Sequence, residues 1–527
     1  MYKGNTAGGG GPESNMDLYT VVLAGMILAL LWMVRVKSRK NNLPPGPPAL
    51  PLIGNLHQID RYAPFSSFLE FSKTYGPVMT LHLGWQRTVV IAGYDAVKDA
   101  FINQADDFMG RGPLPILVKA NTIYALANSN GERWHQLRRF TITTLKDFGM
   151  GRKGMEEWIQ EESQHMRAYI HSLKGKPFDP TFLMSCVVAN IVCCLVFCER
   201  FDYDNQQFLG LLNVLVNVLK FGCSPYGQLY NIFPTLLEYL PGRQHAVFAQ
   251  IHKVRKFIGD KIQDHKDSLD PNSPRDYIDS FLIQMEKEKN NPKSEFLLDR
   301  LVGTVSNLFL AGTETTSSTL RHALLVLIKY PDIQEKMQQE IDAVIGKRTP
   351  GMQDRKSLPF SDAVVHEIQR SLDIVPFAVP HCALRDITFR GYSIPKVRPR
   401  LFQNRIDFRR FLMNCLFVCQ GTKIIPLLHS VLRDEKQWVD PWSFNPNNFL
   451  DHNGNFKKNP AFMPFSAGRR ACAGESLARM ELFIFITSLL QDFTFSYSEG
   501  PAHIDLTPEF ASFGKLPHRY NITATAR

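Results

Sequence analysis

The chain has few cysteines and no pattern among them. There are nine in 527 residues, an odd number, and nothing resembles a zinc spacing or a disulfide framework. Cys193, Cys194 and Cys198, in "NIVCCLVFCE", read as small buried hydrophobes. The bulk of the chain therefore reads as cytosol-facing, and the sequon "NIT" at Asn521 as unused. No internal repeat exists, which excludes a solenoid. No basic–aromatic pattern favours nucleic acid, although Lys and Arg outnumber Asp and Glu by 60 to 50 for a net charge of +10. That excess is either a solvated surface or a docking face for an acidic protein or an anionic membrane.

What is present is hydrophobic mass: 44% of residues are apolar, enough for a large core. Leu18 to Val34, "LYTVVLAGMILALLWMV", is uncharged and is followed by "RVKSRK". About 17–25 apolar residues span a bilayer as a helix, and basic residues on the C-terminal side keep that side in the cytosol. With no small-residue cleavage site, the run reads as an uncleaved anchor. Residues 1–15 form a Gly-rich leader, with Met16 a second candidate start. Residues 16–40 are the anchor and its basic stop, and 41–50 a proline hinge around "LPPGPP", a stiff spacer poor in donors. Residues 51–527 form one large domain, interrupted by an atypical insertion at 397–420. It reads as mainly helical with short strands such as "VMTLHLG" and "RTVVIAG". The longest helical pattern starts near Ser294 and ends at Pro331.

"FMPFSAGRRACAGESLARMELFIF" places Cys472 after a Gly-rich loop and before an apolar-periodic helix. Helix-start N–H groups and the helix dipole favour a thiolate there, lowering its pKa. A thiolate so placed is able to act as an axial ligand to haem iron; taken without any family, a lone cysteine is more often a buried structural thiol. Gly468 and Gly474 allow close backbone approach to a flat cofactor, and Arg470 is placed to meet a carboxylate.

Four motifs resemble the cytochrome P-450 family. "FSAGRRACAG" fits FxxGxRxCxG through Phe465, Gly468, Arg470, Cys472 and Gly474. "AGTETT" fits the oxygen-activation motif of the long central helix. "EIQR" supplies ExxR as Glu367 and Arg370, and "WHQLR" supplies WxxxR as Trp134 and Arg138. "DFGMG" and "DPNSPRDYIDSFL" resemble vertebrate microsomal family 2. The resemblance implies an α+β fold, mainly α with small β-sheets, and a long central helix over the haem (iron protoporphyrin IX).

It also implies an endoplasmic reticulum membrane protein with a cytosolic catalytic domain. That domain inserts one oxygen atom of dioxygen into a lipophilic substrate: a fatty acid, a steroid or a foreign compound. The implied electron donor is an NADPH-cytochrome reductase, with cytochrome b5 as a further partner and membrane lipid as surroundings. By resemblance, Cys472 ligates iron. Arg111, Trp134, Arg138, His381 and Arg470 face the haem propionates, and Glu314 and Thr315 deliver protons. Ala311, Thr315, Ala378, Val379 and Phe510 contact substrate. Gly312 is expected to widen a turn for dioxygen. Thr315 also has a bland reading, a hydroxyl bonded back to a helix carbonyl. Glu367 and Arg370 brace the Cys loop, with Asn448 where relatives carry Arg or His. Arg133, Arg139, Arg469, Lys457 and Lys458 form either a docking face for an acidic flavoprotein or a solvated face.

Two other classes are weighed. A haem-thiolate isomerase would need no reductase; the Glu314–Thr315 pair argues against it, and NADPH-dependent oxygen uptake separates the two. A catalytically impaired splice isoform is favoured by one feature, the basic then apolar run "KVRPRLFQNRIDFRRFLMNCLFVCQG". Removing Val397 to Gln420 rejoins "GYSIPK" to "GTKIIPLL" as strand–turn–strand. Every Val codon begins GT and one Gln codon ends AG, the ends of an intron, so the run reads as an in-frame retained intron. The rival reading is an interfacial membrane- or partner-binding loop.

Overall fold

The computed structural model describes residues 22–26, 42–112, 114–120, 122, 124–150, 153–396, 422–511 and 514–527, without the side chains of 510 and 511. The leader 1–15, most of the apolar run 18–34 and the segment 397–420 lie outside the described residues. Of the apolar run, 22–26 are helical, with Val22, Leu23 and Met26 exposed.

Seven helices position the site: α1 (Pro64–Tyr75), α2 (Gly131–Asp147), α3 (Pro180–Phe197), α4 (Gln206–Cys223), α5 (Leu298–Lys329), α6 (Pro359–Leu372) and α7 (Glu475–Asp492). The 32-residue α5 begins four residues later than its pattern suggests, because Leu297 is still extended. It ends where Pro331, lacking an N–H, opens the next helix. From Thr313 onward it is almost wholly buried, so it crosses the core.

Its main partner is α3, which is apolar on all sides and correspondingly buried. Among the described residues α3 is the one unbent helix apolar and long enough to cross a membrane, yet the protein encloses it. Cys193 is buried as expected, but Cys194 is only partly so. Cys198 is exposed, because it caps α3 in the left-handed region at φ 51°. Gly312 has a different role from the one expected. A Cβ there would stand 2.9 Å from Val192 Cγ2, so glycine lets α5 and α3 approach, and α5 runs on as one helix.

The strands are β1 (Val78–Leu83), β2 (Gln86–Ala92), β3 (His381–Cys382), β4 (Ile387–Phe389), β5 (Tyr392–Ile394), β6 (Lys423–Leu427), β7 (Phe493–Ser496), β8 (Pro508–Ala511), β9 (Lys515–Pro517) and β10 (Thr523–Ala526). The largest sheet has the order β1-β2-β6-β3, with β6 parallel to β2. This corrects the strand–turn–strand reading of "ITFRGYSIP" and "GTKIIPLL". The first stretch is itself a hairpin, β4 with β5, turning at Arg390 and Gly391, which have positive φ. The second, β6, pairs with β2 and β3 in another sheet. The 397–420 segment therefore connects two sheets and is not a hairpin tip.

The proline stretch is also more than a spacer. The Thr80 N–H donates to Pro45 O at 2.7 Å, and Asn55 Nδ2 donates to Pro47 O and Pro48 O. A Cβ on Gly46 would lie 1.9 Å from Thr80 O. The stretch is strapped onto β1.

Candidate active site

The loop before α7 carries Cys472. Its N–H donates to Phe465 O at 3.0 Å, which fixes the first and last thirds of the signature against each other. Gly468 is required sterically: it has φ 74°, and a Cβ would come within 1.7 Å of Phe101 O. Gly474, the N-cap of α7, keeps the space beside the sulfur open; a Cβ there would touch Cys472 Sγ at 4.0 Å. Solvent reaches Cys472 although protein surrounds it. The expected fall in its pKa is not found. Burial pushes the thiol up, outweighing the Gly474 N–H and Arg138, which act to lower it.

Beside this loop stand Arg111, Arg138 and Arg470, which pair with no carboxylate among the described residues. Arg470 Nε donates to Met109 O at 2.9 Å and Nη2 to Ser129 O at 2.7 Å. Arg111 Nη1 donates to Val379 O and Pro380 O. Arg138 Nη2 donates to Ala471 O at 2.7 Å, tying α2 to the Cys loop. The Trp134 ring lies under Arg470 at 4.0 Å and near Arg138 at 5.7 Å, so the indole face supports the guanidiniums.

His381 Nδ1 donates to Phe108 O at 2.5 Å. Arg111 Nε, Arg470 Nη1 and His381 Nε2 are buried with no partner. Burial, then mutual repulsion, draws Arg470 down to about 8 and holds His381 well below the usual imidazole range. Burial draws Arg111 down to about 9, with Cys382 opposing and Arg138 adding to the fall. Such groups are costly unless a negative ligand completes them. A flat cofactor bearing carboxylates, set between this cradle and the thiol, fits these residues.

Sequence reasoning passed over Asn130. Its Oδ1 accepts from the Arg111 N–H at 2.7 Å and from Arg470 Nη2 at 3.3 Å, organising two of the cations. The signal was an Asn directly before a glycine that opens a helix.

Helix α5 presents Ala311 and Thr315 one turn apart. Ala311 is exposed and Thr315 half-buried, within a stretch otherwise mostly enclosed. Thr315 Oγ1 donates to Ala311 O at 2.7 Å, the bland alternative. Glu314 points elsewhere. It is 3% exposed, and burial pushes its carboxyl up to about 7 against the pull of Arg321, Ser185 and Lys220. Its Oε1 has no partner. Ala378 is buried at φ 50° and Val379 half-buried. Phe510 belongs to β8, and its side chain lies outside the described residues.

Glu367 and Arg370 are both 0% exposed and doubly bonded, at 2.7 and 2.6 Å. Arg370 also donates to Leu432 O, Pro441 O and Ser443 O, and Asn445 N–H donates to Glu367 at 2.8 Å. The third partner thus comes from "FNPNNFL" as a backbone group. Asn448 does not join the pair; its Oδ1 accepts from Val439 N–H. Of the basic residues assigned to docking, Arg133 is engaged by Glu295 at 2.8 Å and Arg469 by Asp106 at 3.1 Å, while Arg139, Lys457 and Lys458 are exposed.

An accessible thiol on a strapped loop, an anion cradle and a long core-crossing helix that carries a hydroxyl suit a haem-binding oxygenase site. The family model described as Cytochrome P450 matches residues 44–397 and 405–524, and the chain belongs to that family. Its relatives are of family 2. It is 46% identical over 501 residues to cytochrome P450 2C8 of Homo sapiens, covering 95% of this chain and 97% of the relative. It is 44% identical over 509 residues to cytochrome P450 2G1 of Rattus norvegicus, covering 96% and 98%. The protein is a haem-thiolate monooxygenase that draws electrons from NADPH through a reductase, and its cofactor is haem.

Proposed function

We propose that Cys472 is the iron ligand, and that Arg111, Trp134, Arg138, His381 and Arg470 hold the propionates. The observation that carries this reading is the set of unpartnered buried atoms on Arg111, Arg470 and His381 beside an accessible thiol. When bound, a thiolate-ligated haem activates dioxygen for insertion into an organic substrate.

The chain's own part is to position, exclude water and supply protons. Thr315, turning its hydroxyl from Ala311 O toward the chamber, donates a proton there. Glu314, whose carboxyl burial pushes up to about 7, supplies that proton by swinging from Ser185 toward Thr315. Ala311, Thr315, Ala378, Val379 and Phe510 form the wall met by substrate. Their apolar character suits a fatty acid, a steroid or a foreign compound.

The protein is an endoplasmic reticulum enzyme anchored through 18–34, with 51–527 as its cytosolic catalytic domain. Exposed Leu50, Leu52 and Ile53 support contact with membrane lipid, as do Leu236, Tyr239 and Leu240. The two groups are neighbours through Gly84, whose N–H donates to Ile53 O and whose Cβ would meet Ile232. Arg139, Lys457 and Lys458 offer an electropositive face to the reductase and to cytochrome b5.

The test is Cys472→Ser followed by a reduced carbon monoxide difference spectrum. The thiolate band is expected to vanish, and its persistence would reassign the ligand.

A further inference from the structure

Lys220 occupies a place that helix geometry reserves for apolar side chains. The inward stripe of α4 runs Phe208, Leu212, Val216, Lys220 and Cys223 at three- and four-residue spacing. Its apolar members are at most 7% exposed, yet the Lys220 side chain keeps 31% of its surface accessible. Ala311 on α5, exposed between buried Phe309 and Thr313, has the same character. Lys220 is also near enough to Glu314 to be felt by it.

Lys220 pairs with Glu509 on β8, with Nζ 3.0 Å from Oε2. The β8–β9 hairpin returns through Gly514, where a Cβ would stand 3.3 Å from Cys223 Sγ. The Lys515 N–H then donates to Ile374 O at 2.8 Å. The end of α4, the hairpin and the segment leading to Ala378 and Val379 are thereby joined as one wall. A pair this accessible adds little stability, on the order of 0–1 kcal/mol, which is a poor return for placing lysine on an inward stripe.

We propose that Lys220 determines specificity by receiving the carboxylate of an elongated lipophilic acid, with Glu509 the resident counter-charge that the substrate displaces. The proposal rests on the reading that the chamber beside Ala311 and Thr315 takes substrate. Bound this way, the acid's head is held at the wall, and its chain extends toward Thr315. Neutral substrates of the same length leave the Lys220–Glu509 pair closed and forgo the interaction.

The experiment is a spin-state titration of the full-length, haem-loaded protein with dodecanoic acid and with methyl dodecanoate. The wild type is expected to bind the acid about tenfold more tightly than the ester, the scale of one charge-assisted hydrogen bond. Lys220→Met should bring that ratio to about one, Lys220→Arg should keep it, and Glu509→Gln should raise it by removing the competitor. An unchanged ratio in Lys220→Met overturns the proposal. So does a Glu509→Gln protein that loses acid and ester alike, since that marks a latch between helix and hairpin. The reduced carbon monoxide band of the same samples separates the two levels. Its absence from the wild type defeats the parent reading, whereas a normal band without acid preference defeats this one alone.

Discussion

Among the described residues, the buried arginines around Arg370 and those around Arg470 are opposites. Around Arg370 the donors that reach a partner are matched: Glu367 takes two, and three carbonyls take the rest. Around Arg470 and Arg111 the carbonyls take some donors, no carboxylate is present, and Nη1 of one and Nε of the other are left without a partner. Both clusters are desolvated. The first is complete within the chain and so reads as scaffold. The second is incomplete within the chain and so reads as a receptor for a negative group. Unsatisfied burial, more than burial or charge alone, separates the two roles.

Arg370→Ala is the strongest way to break the comparison. It leaves Glu367 charged at 0% exposure and deprives three carbonyls of donors. Breaking a buried pair from one side costs about 3–5 kcal/mol, against total stabilities of about 5–15 kcal/mol. The expected outcome is little or no folded, haem-loaded protein, read from the yield of the Soret band.

Arg470→Met sharpens it from the other side. The substitution removes a cation that burial already disfavours, so the cost to the protein moiety should be smaller, roughly 1–2 kcal/mol for the lost hydrogen bonds. Cofactor retention should fall more than stability does. Measuring haem content and thermal unfolding on the same samples checks this. Equal losses of both for Arg370→Ala and Arg470→Met would erase the distinction.

Much of this was legible in the sequence, and the reasons for the rest are physical. Phe465, Gly468 and Cys472 were readable because a tight loop ahead of a helix is a local event. Glu367 and Arg370 were readable because residues three apart share a helix face. What local pattern does not carry is the fate of the side chain. Glu314 and Thr315 are adjacent in the chain, but successive helical residues point about 100° apart. One therefore faces Ser185 while the other bonds Ala311 O. The partners of β5 and β6 depended on long-range pairing, which alternation alone leaves open. Asn448 missed the Glu367–Arg370 pair because Asn445, three residues earlier, reaches it through its backbone. Lys220 was hidden because its significance lies in Glu509, far along the chain.

Glu314 supplies a third, milder test, since it is a buried carboxyl with one unpartnered oxygen. Its folded-state pKa, about 7, lies above the ordinary 4.5. The folded state therefore holds its proton longer than the unfolded state, and stability falls as pH rises from about 4.5 to 7, levelling beyond. The span corresponds to about 3 kcal/mol. Glu314→Gln should flatten the wild-type decline between pH 5 and 8 in thermal unfolding of the haem-loaded protein. An identical decline in both proteins would show that other groups control it.

The smallest effect is expected from removing residues 397–420. The neighbouring strands are complete without them: β5 is satisfied by β4, and β6 by β2 and β3. The family match breaks within the segment, omitting 398–404 and resuming at 405. We propose that the segment is a retained in-frame intron, as the Val and Gln codons at its ends permit. Deletion leaves Lys396 joined to Gly421, a short link between two sheets, and each sheet keeps its register through its own partners. The haem content and the reduced carbon monoxide band should therefore be unchanged, and expression should rise because a basic and then apolar run no longer invites association. Transcripts sequenced across the junction should include a form 72 bases shorter, three for each of the deleted residues 397–420. If every transcript carries the segment and its removal abolishes activity, the run is a working part of this protein, and the interfacial-loop reading replaces the intron.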